Sequence, residues 1–231
     1  MNRRKFIRNT IAASAILSLP YACRTNKSSQ LATQITDWSA LELSEAIRTK
    51  VISCAEVMAA YLKHIHQYNP VYNAIISMVA DEELMIQAKL ADEALAKGDY
   101  WGWMHGMPHA IKDLAPVAGM RYTQGSLLFK DRIAEADSPL IAKIRNQGAI
   151  FIGKTNTPEF GLGSQTYNPI FGATGSAYNP NLTAGGSSGG AACGLGTRML
   201  PVADGGDMMG CLLYTSPSPR DRTRSRMPSS A

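Results

Sequence analysis

The sequence predicts an α/β protein built on a mixed, mostly parallel sheet flanked by helices. Three observations carry that prediction. Apolar residues recur at helical spacing in segments between 39 and 97, with a short continuous apolar run between two of them. A strand, a helix and a strand then follow one another between 107 and 153, at lengths that suit a βαβ unit. Hydrophobic residues make up 45% of the 231, which is ordinary for a globular domain.

Taken in order, Ser39-x-x-Glu42 and Ser53-x-x-Glu56 are capping boxes, each ahead of periodic apolar residues. The first predicts a short helix to about Lys50. The second predicts a longer one, with Met58, Tyr61, Leu62 and Ile65 on one face, stopping near Asn69-Pro70. AIISMV (74–79) reads as a buried strand, and 81–97 as an amphipathic helix stopped by Gly98. MPHAIK (107–112) reads as the next strand, SPLIAKIRNQG as a helix with Ser138 as cap and Pro139 at its first position, and AIFIG (149–153) as a strand. From 161 to 210 the chain is crowded with Gly, Ser, Asn and Pro without strong periodicity, and ordered loops of such length usually carry function.

The two ends differ from the body. Residues 1–30 hold six Lys/Arg and no acid, and residues 211–231 hold four Arg and one Asp; the 180 residues between hold 13 bases and 17 acids. The formal charge of +5 therefore belongs to the ends. The body has no electrostatic footprint for nucleic acid, and the arginine-rich tail lacks aromatic interleaving. Arg3-Arg4-Lys5-Phe6-Ile7-Arg8 ahead of the apolar run Ile11–Leu19 resembles a twin-arginine export signal, too short to span a bilayer. It predicts an exported bacterial protein, periplasmic or, through lipidation at Cys23 after Ala22, membrane-anchored. Of the four cysteines, Cys54 and Cys193 are expected as free buried thiols rather than a disulfide.

Several motifs are excluded by their context. Gly148-Ala-Ile-Phe-Ile-Gly153-Lys154-Thr155 satisfies the phosphate-loop pattern, but its interior is strand-forming and cannot curl around a phosphate. His64 and His66 point different ways on one helix. His105 and His109 flank Gly106 and Pro108, which rule out one helical face, and are expected in surface or loop positions. No histidine arrangement suggests a metal, and no histidine sits in a nucleophile-elbow context, so a Ser-His-Asp hydrolase is not supported. GGSSGG (185–190) holds two hydroxyls inside a turn that only glycines allow. Lys112 closes an apolar strand; it either snorkels to solvent or, if buried, loses proton affinity and acts as a base.

GMPHAIKDL (106–114), TAGGSSGGAACG (183–194) and VADGGDMMG (202–210), in this order, resemble the amidase signature family of serine hydrolases, and GAIFIGKTNTPEFG (148–161) does too. The resemblance covers roughly residues 36–210. It implies a Ser–Ser–Lys triad: Lys112 as the base, Ser187 as the bridging serine after a cis peptide with Gly186, and a nucleophilic serine after D-x-x-G, here Asp207–Gly210. The nucleophile position is 211, and Met208, Met209 and Gly210 with residue 211 form the oxyanion turn. The implied reaction is hydrolysis of a small-molecule amide through an acyl-enzyme, without cofactor or metal. The alternatives are a non-catalytic amide-binding pseudo-amidase and an amidotransferase A-type subunit.

Position 211 is Cys211, and nothing after it continues the family pattern. Instead CLLYTSPSPRD resembles an in-frame translation of a transposon-derived sequencing-library adapter. The expected organisation is an export signal (1–30), an N-terminal, truncated portion of the amidase domain (31–210) and a non-native tail (211–231). The chain as written is expected to be inactive and poorly folded alone.

Overall fold

The computed structural model describes residues 34–206. The expected export signal with Cys23, the expected oxyanion residues Met208, Met209 and Gly210, and Cys211 with the expected tail lie outside that range.

Helices α1 (Ala40–Arg48) and α2 (Cys54–Tyr72) both open on the predicted capping boxes. In each, the serine hydroxyl accepts the backbone N–H of the glutamate three residues on, and the glutamate carboxylate accepts the N–H of the serine. Helix α3 (Asp81–Ala96) adds a third acceptor to the start of α2. Asp92 takes the N–H groups of Cys54 and Ala55 at 2.6 and 3.1 Å, a carboxylate placed at the positive end of a helix dipole. Gly98 follows α3 with φ +88°, the conformation that made it a stop signal.

Helix α2 runs through Pro70 to Tyr72, one turn past its expected end. Proline removes one N–H from the last turn, and Asn69 compensates at the exit. Its side chain accepts from the N–H of Ala74 and Ile75 and donates to Ile75 O. Asn73 closes the helix in the left-handed conformation, which asparagine tolerates.

The main sheet has three strands in the order β1 (Ile75–Ile76), β3 (Ile150–Thr155), β2 (Pro108–Lys112). Strands β2 and β3 are parallel and connected through α4 (Pro139–Asn146), the predicted βαβ unit; the short β1 is antiparallel to β3. Only Ile75 and Ile76 of the predicted 74–79 run pair as strand. Ser138 occupies the N-cap position of α4, but its hydroxyl makes no capping bond. That helix starts on the pre-set φ of Pro139.

Every residue of β2 and β3 is buried, which is why both read as nearly unbroken apolar runs. Ala110, Ile150 and Ile152 join the core formed with α1, α2 and α3 (Leu43, Val57, Met58, Leu84). Ile111 and Phe151 join a second cluster with Ile141 of α4. A register shift after the His109–Phe151 pair sets Lys154 opposite Ile111 and Thr155 opposite Lys112. The lysine of the false phosphate loop therefore sits in a strand, on the side of the sheet away from Lys112.

The Gly/Ser/Asn-rich stretch is ordered by two small antiparallel ladders, β4 (Tyr167–Asn168) with β5 (Gly172–Ala173) and β6 (Gly175–Ser176) with β7 (Asn179–Thr183), and then by helix α5 (Gly189–Gly196). Its centre is Asn156, fully buried at the end of β3. Asn156 donates to Thr174 Oγ1 and Gly172 O, and accepts from Asn168 Nδ2 at 2.7 Å. A buried polar network of this kind holds only when its members are satisfied.

Candidate active site

Lys112 is the last residue of β2 and is 2% exposed, so it does not snorkel to solvent. Its Nζ lies 2.8 Å from Ser187 Oγ and 2.8 Å from Ser188 Oγ. The structure thus joins a strand end to a glycine turn 75 residues later. The Gly186–Ser187 peptide is cis, as the family resemblance implied. Gly185 takes φ +75°, a conformation side chains resist, and Thr166 laces the turn shut. The Thr166 hydroxyl donates to Gly185 O at 2.7 Å and accepts the N–H of Gly189 at 3.0 Å. Thr157 donates to Ser187 O from beneath at 3.2 Å.

Four further groups stand around the end of the β2–β3 pair, and sequence reasoning gave none of them a role. Ser188 matches Ser187 in its distance to Lys112, and it exchanges two 3.1 Å bonds with the backbone of Gly206, donating to the carbonyl and accepting the N–H. Asp204 accepts the backbone N–H of Lys112 with both carboxylate oxygens, at 3.2 and 3.3 Å. Asp113 is fully buried and accepts the Thr123 hydroxyl at 2.5 Å. Lys154, also fully buried, donates to Ala115 O at 2.5 Å beneath the Tyr122 ring. The only sequence signal for these groups is that each lies inside a quoted motif.

His105 lies in a turn, as expected, and His109 in β2, which corrects the expectation for it; neither is at the surface, at 1% and 2% exposure. His105 is enclosed because its ring is satisfied. Nδ1 accepts the Trp101 N–H at 3.2 Å, which leaves Nε2 to donate to Ala91 O at 2.9 Å. His109 belongs to a strand covered on both faces, against Phe151. Cys54 and Cys193 are free and buried; burial pushes the Cys54 thiol well above its ordinary range and the Cys193 thiol up to about 11, so neither is a nucleophile.

Burial also dominates the Lys154–Asp113 region. It pushes Lys154 down to about 8, against the attraction of Asp113, Asp204 and Asp137, and pushes the Asp113 carboxyl up despite the Thr123 bonds. Between about pH 8 and the ordinary 10.5, the unfolded chain holds a proton on Lys154 that the folded protein has released. Stability attributable to this group therefore rises with pH across that window, by up to about 3 kcal/mol, and the full penalty applies below it. The urea midpoint should rise between pH 8 and 10 relative to that of Lys154→Met. Parallel pH profiles for the two proteins would show that Lys154 stays charged in the fold.

Comparison with known proteins gives one family. The family model "Amidase" matches residues 56–212. Indoleacetamide hydrolase of Bradyrhizobium diazoefficiens is 38% identical over 180 residues, covering 78% of this chain and 34% of that protein. The A-type subunit of the glutamyl-tRNA(Gln) amidotransferase of Coxiella burnetii is 37% identical over 171 residues, covering 74% of this chain and 35% of that protein. Among solved structures, a bacterial aryl acylamidase of the amidase signature family superposes with TM-score 0.68 at 33% identity, covering 72% of this chain and 34% of its own. This chain thus spans only 34% and 35% of those two curated relatives' length.

Proposed function

The chain belongs to the amidase family, and from that premise we propose that its parent protein hydrolyses a small-molecule amide through a Ser–Ser–Lys relay. The observation that carries this reading is the buried Lys112 Nζ at 2.8 Å from Ser187 Oγ. Neutral Lys112 takes the Ser187 hydroxyl proton while Ser187 takes the proton of the nucleophile at position 211. The freed nucleophile adds to the amide carbonyl carbon. Backbone N–H groups of Met208, Met209, Gly210 and residue 211 hold the oxyanion, each worth about 3 kcal/mol to the transition state. The C–N bond then breaks, the relay returns the proton to the leaving nitrogen, and water releases the acyl group.

Here position 211 is Cys211, where the family pattern has serine. We assign CLLYTSPSPRD to a foreign adapter and the native coding sequence to the part up to about Gly210. Amplifying the genomic locus across codon 210 tests this, followed by assay of the encoded protein. The relatives' names suggest the panel: indoleacetamide, an aryl acylamide and the 6-aminohexanoate cyclic dimer. The expected result is a serine codon at 211 and hydrolysis of at least one amide, with no turnover by the 231-residue chain. A locus that encodes Cys211 and its tail, in a protein that cleaves no amide, sinks the proposal.

A further inference from the structure

Two groups beside Lys112 have no part in the proton relay, and they face each other. His109, three residues before Lys112 on β2, is buried with neither ring nitrogen hydrogen-bonded among the described residues. Its Nε2 lies 3.4 Å from Asp204 Oδ1, within reach but out of line for a hydrogen bond. A buried imidazole always carries at least one N–H, and an unmet donor is costly away from water. A small rotation of the ring aims that N–H at the carboxylate.

Asp204 is already engaged. The Asp113 N–H donates to Thr155 O on β3, so by strand alternation the Lys112 N–H points to the opposite edge of β2, where both Asp204 oxygens accept it. Two residues on, Gly206 exchanges its pair of bonds with Ser188. The 204–206 segment therefore runs from the backbone of the lysine to the turn that carries the serines, and His109 stands behind the first of these contacts. Asp204 also attracts the charged form of Lys154.

We propose that His109 and Asp204 form a positioning pair. The imidazole donates to the carboxylate, the carboxylate holds the Lys112 backbone, and the clamp fixes where Nζ stands relative to Ser187 and Ser188. The pair matters to catalysis only if Lys112 is the base, so this inference rests on the reading above. Its test uses no turnover, so the two fail separately.

The test is amide hydrogen exchange at Lys112, resolved by NMR, in the protein expressed from its genomic locus. Exchange at Lys112 should speed up about tenfold or more in Asp204→Ala and in His109→Leu. It should stay within about threefold of the parent in Asp204→Asn, which keeps an acceptor, and in His109→Gln, which keeps a donor. The amide of Val79, bonded to Ile152 O elsewhere in the sheet, should not change. Rescue by the conservative variants separates a hydrogen-bonded clamp from space filling. The proposal is overturned if the Lys112 amide is unprotected in the parent, if His109→Leu leaves it protected, if His109→Gln exchanges as fast as His109→Leu, or if Val79 is released together with Lys112.

Discussion

Lys112→Met, in the parent protein under the proposed relay, is expected to lower kcat/KM for amide hydrolysis by roughly four orders of magnitude. Methionine keeps the apolar stem inside the buried strand end and removes only the amine, so the loss reports chemistry rather than packing. Ser187→Ala should cost about as much, because the lysine reaches the nucleophile only through that hydroxyl in the proposed relay. The double variant should be no slower than either single one: groups that act as one unit are grossly non-additive. Ser188→Ala should cost far less. It keeps the Lys112–Ser187 contact and gives up only its own contacts with the lysine and Gly206. Multiplicative losses in the double variant, or a larger loss in Ser188→Ala than in Ser187→Ala, would exchange the roles or dissolve the relay.

The parts of this fold that could be read in the sequence are those fixed by neighbours. A capping box needs only a serine and a glutamate three residues apart, and both predicted boxes form. Strands β2 and β3 are buried on both faces, so burial wrote itself as unbroken apolar runs. What resisted reading depends on distant partners. His105 is buried because Ala91, fourteen residues earlier, accepts its N–H. The 161–188 stretch has no period because its order comes from Asn156, with partners at 168, 172 and 174. The site divides the same way. Lys112 and Ser187 were legible through motif resemblance, but the contact between them exists only in the fold. Asp204 and Ser188 lay inside quoted motifs but without a role, since an aspartate beside two glycines and a serine in a glycine run fit any turn.

Gly190→Ala should be among the most destabilising single changes available to this chain, costing about 3 kcal/mol or more. A Cβ there would stand 2.3 Å from the backbone nitrogen of Asn156, 2.7 Å from Ala74 O and 2.8 Å from Asn156 O. None of these is a flexible side chain, and Gly190 itself donates to Asn156 O at 3.2 Å. Room can come only from pulling α5 off the strands or from breaking the ladder beneath it. The better helix propensity of alanine, about 1 kcal/mol, offsets only a fraction of this. The damage should also reach the site. Ser187 and Ser188 immediately precede α5, so a displaced helix carries both hydroxyls away from Lys112, and activity should fall with stability. Gly98→Ala is the control. It sits just past the end of a helix with φ +88°, but no atom lies within 4 Å of its Cβ, so its cost should stay near the 1–2 kcal/mol of a left-handed alanine, roughly, with activity intact. Urea unfolding of the two variants decides the matter. Equal midpoints would mean that α5 yields freely at Gly190, and the close approach that sets the two serines against the lysine would not be the rigid contact described.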